Sequence, residues 1–416
     1  MSRRSLLLIL ALGLVVRFAV IAVDPGFLPT ADTAEYQRIT ANILGGAGFD
    51  SGAPGDPLWH PKSWRTPGYP LFLAAHASLF GPARRPVQVT QAFIDAATAL
   101  LVVVLGRRLF PVRIAWLAGL AYALHPLPAI QVAALGTEAL AAFLLTAFLI
   151  LTYRAAERPT VGRGALAGLV FGLDLLVRPT PQLFLPFAMA FVLLPTLAGV
   201  SALRGSPRAR PPLLRRAGAA LALALGCFLV IAPWAVRNYR VHHAFVPLST
   251  LGGVVLNEGV GGIRVGDWWS MTGLHSIPAE DWTRWRELGE VAGEKYMRES
   301  AVQAIREHPG LYALSVGPKL LRFWLQLSFG YGKLSWRSWG VFWSQGCLLA
   351  LVALAFLRYR GPWVAAGRLL WLLVLYHAAL YSLTVTEARY SFVLLPCLLP
   401  PAAHALAQLV RARAHR

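Results

Sequence analysis

The stretch Ser5–Val23, SLLLILALGLVVRFAVIAV, decides the fold. It is apolar throughout except for Arg17, and at 1.5 Å of rise per residue it is long enough to cross a hydrocarbon layer about 30 Å thick. Arg3 and Arg4 precede it and no small-x-small cleavage site stands before Asp24, so it reads as a signal anchor rather than a cleaved leader. Comparable runs recur near 87–106, 113–127, 137–153, 164–178, 182–200, 217–235, 341–357, 368–384 and 390–410. Together they predict an all-α polytopic membrane protein of about ten transmembrane helices. Two further apolar pieces, 68–80 and 311–329, are short or amphipathic and are expected to be interfacial or re-entrant helices on the outer face. Of 416 residues 56% are hydrophobic and only 14% charged, where a soluble domain carries about 25%. Cys227, Cys347 and Cys397 lie inside apolar runs, without disulfide or zinc spacing.

A net charge of +20 would suit a nucleic-acid binder, but its placement argues against nucleic acid as a partner. With the N-terminus inside, the short inner segments hold Arg3, Arg4, Arg107, Arg108, Arg113, Arg154, Arg158, Arg163, Arg204, Arg208, Arg210, Arg215, Arg216, Arg358, Arg360, Arg368, Arg411, Arg413 and Arg416, against a single acid, Glu157. That is the bias of cytoplasmic loops, reinforced by anionic inner-leaflet lipid. Both termini are therefore expected in the cytoplasm. A full span at 311–329 would move Arg358, Arg360 and Arg368 outside.

Two outer segments, 24–67 and 237–309, are long, and long loops in compact proteins are usually functional. The first carries Asp32-Thr33-Ala34-Glu35-Tyr36 on a predicted helix with Thr30 as N-cap. Asp32 has two readings: an acid in a helix's first turn, favoured by the dipole, or a carboxylate aimed into an outer cavity. The segment ends in Arg65-Thr66-Pro67-Gly68-Tyr69-Pro70, where Arg65 is either a snorkelling anchor or a phosphate clamp. The second segment is rich in Gly and Trp (Leu251-Gly252-Gly253, Trp268-Trp269, Trp282, Trp285) and its part 278–307 reads as one amphipathic helix. Polar residues recur at the outer ends of spans: Glu138, Arg178, Arg237-Asn238, and Glu387-Ala388-Arg389-Tyr390. Ionisable groups at a membrane edge point to function, and their convergence on one face, with Glu35 and Tyr36, predicts a working site. Arg17 and Asp95 lie deeper, about 10 and 12 Å below the outer ends of their spans, and are expected to form a structural ion pair. Asp174 and Arg178, spaced i,i+4, are expected to pair similarly. No Walker loop, Gly-x-Ser-x-Gly or His-Glu-x-x-His is present, so neither metal ligands nor a cofactor site is expected. The sequence gives no support for a divalent cation.

In order along the chain, the Asp32-x-x-x-Tyr36 helix, Arg65-Thr66-Pro67-Gly68-Tyr69-Pro70, Glu138 opening a span, Val177-Arg178-Pro179, Pro233-Trp234 before Arg237-Asn238-Tyr239, Ser249-Thr250-Leu251-Gly252-Gly253, and Arg389-Tyr390 before Pro396 form an ordered set. That set resembles the C-type (GT-C) membrane glycosyltransferases, and most of all glycosyltransferase family 39, which includes protein O-mannosyltransferases and lipid A aminoarabinose transferases. The resemblance covers nearly the whole chain and implies one membrane domain, 1–416. It implies Asp32 as catalytic base and Arg65, Arg178 and Arg389 as phosphate-binding residues. Many relatives have Asp-Glu and a basic residue before the Tyr; here Glu35 is displaced and the basic residue is absent.

A polyprenyl-phosphate sugar already carries a good leaving group, so one carboxylate and several guanidiniums suffice for inverting transfer to a lipid, glycan or protein acceptor. A hydrolase would need a second, paired acid. An outer-face polymerase or ligase using a diphosphate-linked donor is the nearest rival. A transporter would place charges at the midplane in repeated halves, and no repeat is seen. The expected location is the bacterial cytoplasmic (inner) membrane, with the site on its outer face.

Overall fold

A computed structural model describes residues 3–23, 31–52, 60–194, 211–265, 277–325 and 336–414. Thr30, Trp268-Trp269, Arg204, Arg208, Arg210 and Arg416 lie outside the described residues, as do the ends of the runs 182–200 and 311–329. All regular structure among the described residues is helical: α1 (Arg3–Val23), α2 (Ala31–Leu44), α3 (Gly68–Phe80), α4 (Arg84–Leu109), α5 (Val112–Leu124), α6 (Pro126–Ala133), α7 (Glu138–Glu157), α8 (Val161–Val177), α9 (Leu185–Leu193) and α10 (Leu213–His242) come first. Then follow α11 (Gly252–Val265), α12 (Ala279–Leu288), α13 (Glu290–Glu307), α14 (Pro309–Leu325), α15 (Trp336–Arg358), α16 (Arg368–Leu383) and α17 (Leu395–Ala414). Among the described residues six helices are long and apolar enough to cross a membrane: α1, α4, α7, α10, α15 from Trp339, and the stretch Arg389–Ala414. Shorter apolar helices cover Val112–Leu124, Thr180–Leu193 and Arg368–Leu383. This is an integral membrane protein.

Prolines set the breaks. Pro126 lacks an amide hydrogen, so α5 stops at His125, whose side chain accepts the Leu127 N–H at 3.2 Å and starts α6. Arg178 precedes Pro179 and has extended backbone (φ −145°, ψ 112°), which ends α8 and turns the Arg178 side chain out of the helix. The expected single helix over 278–307 is two, α12 and α13, parted at Gly289, whose φ of 79° no ordinary helical residue adopts.

Helix α8 packs closely on α10 through small residues: a Cβ on Gly168 would lie 1.9 Å from the Leu223 carbonyl oxygen. Deep between α1, α4 and α5, Arg17 Nε donates to Asp95 Oδ2 at 2.7 Å, and Tyr122 Oη donates to Asp95 Oδ1 at 2.7 Å. Both charged side chains are fully buried.

The segments before α3 and around α11–α13 are tied to each other. Glu290, at the start of α13, accepts the Lys62 and Ser63 N–H groups at 2.6 and 2.8 Å and the Thr250 hydroxyl at 2.6 Å. Thr66 Oγ1 donates to Val177 O at 3.3 Å, pinning the same strap to the end of α8. The strap 60–67 thus joins the end of α8 to the start of α13.

Candidate active site

Under that strap lies a cavity of about 290 Å³. Asp32, Tyr36, Arg65, Glu138, Arg178, Arg389 and Tyr390 all line it, together with Thr137, Thr180, Tyr376 and Tyr381. Residues far apart in sequence meet there: Asp32 and Glu138 open helices α2 and α7, Arg178 follows the end of α8, and Arg65 comes from the strap.

Asp32 stands in the first turn of α2, where the dipole favours it. The next residue fixes that helix, since Thr33 Oγ1 donates to Leu135 O at 3.0 Å. Tyr36 packs edge-on against Tyr69 of α3, ring centroids 5.0 Å apart. Arg65 Nη2 donates to Asp32 Oδ1 at 2.6 Å, and its Nε to Glu35 Oε2 at 2.8 Å. Arg389 closes on Asp32 from the opposite side through Oδ2. It also meets Glu387 at 2.7 Å and Glu138 at 3.6 Å. Both oxygens of Asp32 therefore face guanidinium nitrogens.

Arg178 pairs with Glu138 at 3.2 Å rather than with Asp174. The extended backbone before Pro179 carries its side chain toward the start of α7, and Asp174 Oδ1 is left buried without a hydrogen-bond partner among the described residues. Arg178 Nη2 also donates to Tyr381 Oη at 3.1 Å, and its guanidinium lies 4.8 Å from the Tyr390 ring centre. Arg237 and Asn238 stand outside the cavity lining. Arg237 Nη1 donates to Lys62 O at 2.6 Å, and Asn238 Oδ1 accepts from Ser63 Oγ at 2.8 Å, so both brace the strap that carries Arg65.

These contacts set the electrostatics. Burial alone would push the Asp32 carboxyl up, but Arg65 and Arg389 together hold it well below the usual carboxylate range. Glu35 goes the other way: burial pushes it up and outweighs Arg65, and its Oε1 is buried without a hydrogen-bond partner among the described residues. Burial pushes the Tyr36 phenol up to about 12. Among the described residues no group of three or more His, Cys, Asp or Glu side chains is arranged to hold a metal ion.

Three guanidiniums at one cavity, all held by carboxylates, make a site for an anion that must displace those carboxylates to bind. A phosphate fits this donor set, because a guanidinium offers two parallel N–H groups to two oxygens. Asp32 lies where such an anion would reach both Arg65 and Arg389.

Residues 60–237 match the family model described as dolichyl-phosphate-mannose-protein mannosyltransferase. Arg65, Glu138, Arg178 and Arg237 fall within the matched region, whereas Asp32 and Arg389 lie outside it. The archaeal oligosaccharyltransferase AglB from Archaeoglobus fulgidus, solved with an inhibitory peptide and a dolichol-phosphate, aligns over 99% of this chain and 51% of its own at TM-score 0.56 and 14% identity. The chain shares the fold of this oligosaccharyltransferase. The apo form of the Archaeoglobus fulgidus enzyme aligns over 99% of this chain and 52% of its own at TM-score 0.52 and 17% identity. This chain spans about half the length of these structures. ArnT from Cupriavidus metallidurans, bound to undecaprenyl phosphate, aligns over 98% of this chain and 79% of its own at TM-score 0.43 and 15% identity. No curated protein matches.

Sequence reasoning passed over Thr137, Tyr376 and Tyr381. Tyr376 and Tyr381 sit in an apolar run, where a hydroxyl needs a partner; Tyr376 Oη donates to Thr180 O at 2.7 Å, and Tyr381 Oη accepts from Arg178.

Proposed function

We propose that this GT-C chain is an inverting glycosyltransferase that moves a sugar from a polyprenyl-phosphate donor to an acceptor hydroxyl. The observation that carries the reading is Asp32 held between Arg65 and Arg389 in one cavity. The dolichol-phosphate in the AglB complex, a protein of the same fold, supports a lipid phosphate as donor group. The arginine-rich inner segments support placing the cavity on the outer face of a bacterial cytoplasmic membrane, with both termini inside.

In this scheme the donor phosphate enters among Arg65, Arg389 and Arg178 and takes over guanidinium contacts that carboxylates hold in the empty site. Asp32, relieved of part of that charge, accepts the acceptor's hydroxyl proton. The oxygen attacks the anomeric carbon from the face opposite the phosphate, the carbon–oxygen bond to phosphate breaks, and its electron pair leaves on the lipid phosphate. Guanidiniums stabilise that developing charge. One displacement inverts the anomeric configuration, and the scheme needs no metal or cofactor. The outer segments 24–67 and 237–309 would recognise the acceptor, which is a lipid, glycan or protein hydroxyl.

The test is reconstitution of the full chain in liposomes with a panel of polyprenyl-monophosphate and polyprenyl-diphosphate sugars. Monophosphate-dependent transfer with inverted anomeric configuration is expected. Transfer from diphosphate donors alone would replace this reading with a polymerase or ligase.

A further inference from the structure

Helix α14 grips the segment that carries Arg389. Its Tyr312 Oη donates at 2.7 Å to the carbonyl oxygen of Leu383, the last residue of α16. About three turns further along α14, the Phe323 ring centre lies 5.3 Å from that of Tyr381, and Tyr381 stacks on Tyr390 with ring centres 4.6 Å apart. Between these two contacts stands Lys319, fully buried. Its Nζ donates to Gly259 O of α11 at 2.7 Å and lies 5.3 Å from the centre of the Tyr312 ring. Gly259 in turn lies flush on Thr384: a Cβ there would sit 2.6 Å from the Thr384 carbonyl carbon and 2.9 Å from its Cα, so only glycine permits this approach. Residues 383 and 384 are thus held by α14 and by α11, and one ammonium joins the two holders.

We propose that Lys319 and Tyr312 are positioning residues for Arg389: they lock α11 and α14 around residues 383–387 and so hold the Arg389 guanidinium where it meets Asp32. This deepens the glycosyl-transfer reading and rests on it. Neither residue lines the cavity, so both act through Arg389. Arg389 Nε meets Glu387 at 2.7 Å and Glu138 at 3.6 Å, and the guanidinium closes on Asp32 as well. Those acids stand on three separate elements: α2, α7 and the segment itself. A guanidinium shared in this way keeps its place only if its own backbone does. A shift of about 1 Å can cost on the order of 10²-fold in rate.

Among the described residues Lys319 meets no carboxylate, only the Gly259 carbonyl and the Tyr312 ring. Burying an ammonium without a counter-ion is costly, and an apolar side chain would serve helix packing better. What the ammonium adds is direction: a charge-assisted hydrogen bond to α11 and a cation–π contact on α14. The segment is also fixed from within. Thr384 Oγ1 donates to Leu380 O at 2.8 Å, and Thr386 Oγ1 donates to Tyr381 O.

The experiment uses the full chain purified in detergent and reads polyprenyl-phosphate affinity by calorimetry. Lys319→Met and Tyr312→Phe are each placed in three backgrounds: wild type, Arg65→Ala and Arg389→Ala. Two of the three cavity arginines remain in each arginine variant, so binding is weakened rather than abolished. In wild type and in Arg65→Ala, each substitution should weaken binding about tenfold. In Arg389→Ala the further loss should stay under about twofold, because no guanidinium is left to misplace. Tyr312→Phe removes one oxygen and keeps the ring, so it carries the test if Lys319→Met does not fold. An equal loss in all three backgrounds would mark general damage to the fold and overturn the proposal, as would unchanged affinity in the wild-type background. Turnover is measured separately in liposomes with polyprenyl-monophosphate sugars. Wild type that binds polyprenyl phosphate but transfers no sugar overturns the transferase reading, while the coupling to Arg389 stands or falls on the affinities.

Discussion

Arg17 and Asp95 give a prediction whose size follows from burial. Both side chains are fully buried, and the guanidinium meets the carboxylate at 2.6 Å. Arg17 Nη1 also donates to the carbonyls of Gly13 and Ala123, and Asp95 Oδ1 takes the Tyr122 hydroxyl. Arg17→Met leaves a buried carboxylate with one neutral partner, and Asp95→Leu leaves a buried guanidinium with only carbonyls. Breaking a buried pair by removing one side costs about 3–5 kcal/mol. Asp95→Leu should fall at the lower end, because the carbonyls of Gly13 and Ala123 still receive Arg17. Replacing both charges removes their desolvation as well as their attraction, so the double variant should be more stable than the worse single one. Unfolding of the purified chain in detergent would be measured for all four members of the double-mutant cycle. Coupling of about 2 kcal/mol or more is expected. Additivity within about 0.5 kcal/mol would refute the reasoning, because it would mean the charges act independently.

Arg65→Ala should weaken binding of polyprenyl phosphate, measured by calorimetry in detergent, and Arg65→Lys should rescue it only partly because the fork of donors is lost; equal affinity in wild type and alanine variant would make Arg65 a snorkelling anchor. Glu290→Ala removes the acceptor of two strap amides and the Thr250 hydroxyl. It should cost about 1–3 kcal/mol in thermal unfolding and weaken polyprenyl-phosphate binding through Arg65, and a variant with unchanged melting and affinity would show that the strap holds itself.

What was legible in the sequence was what local rules govern. The 3.6-residue periodicity and the lengths of the apolar runs located the helices, and Pro126 and Pro179 mark where they break. Asp32, Arg65, Glu138, Arg178, Arg389 and Tyr390 were visible because a charge or hydroxyl at the edge of an apolar run has few innocent explanations. Pairing was less legible. Helical spacing predicted Asp174 for Arg178, but Arg178 is the first residue past the helix, and its extended backbone points the side chain at Glu138. Arg237 and Asn238 looked like site residues by the same edge rule, yet they hold the backbone and side chains of Lys62 and Ser63.

The central claim is that Asp32 removes the acceptor's proton, and Asp32→Asn tests it most directly. The amide keeps the size of the side chain and can still face outward from α2, but it cannot take a proton. With purified chain in liposomes, turnover from a polyprenyl-phosphate sugar and affinity for polyprenyl phosphate would be measured on the same preparation. The account predicts turnover lower by about 10²–10⁴-fold with lipid phosphate still bound, since the arginines remain. Turnover above about a tenth of wild type, with binding intact, would contradict it.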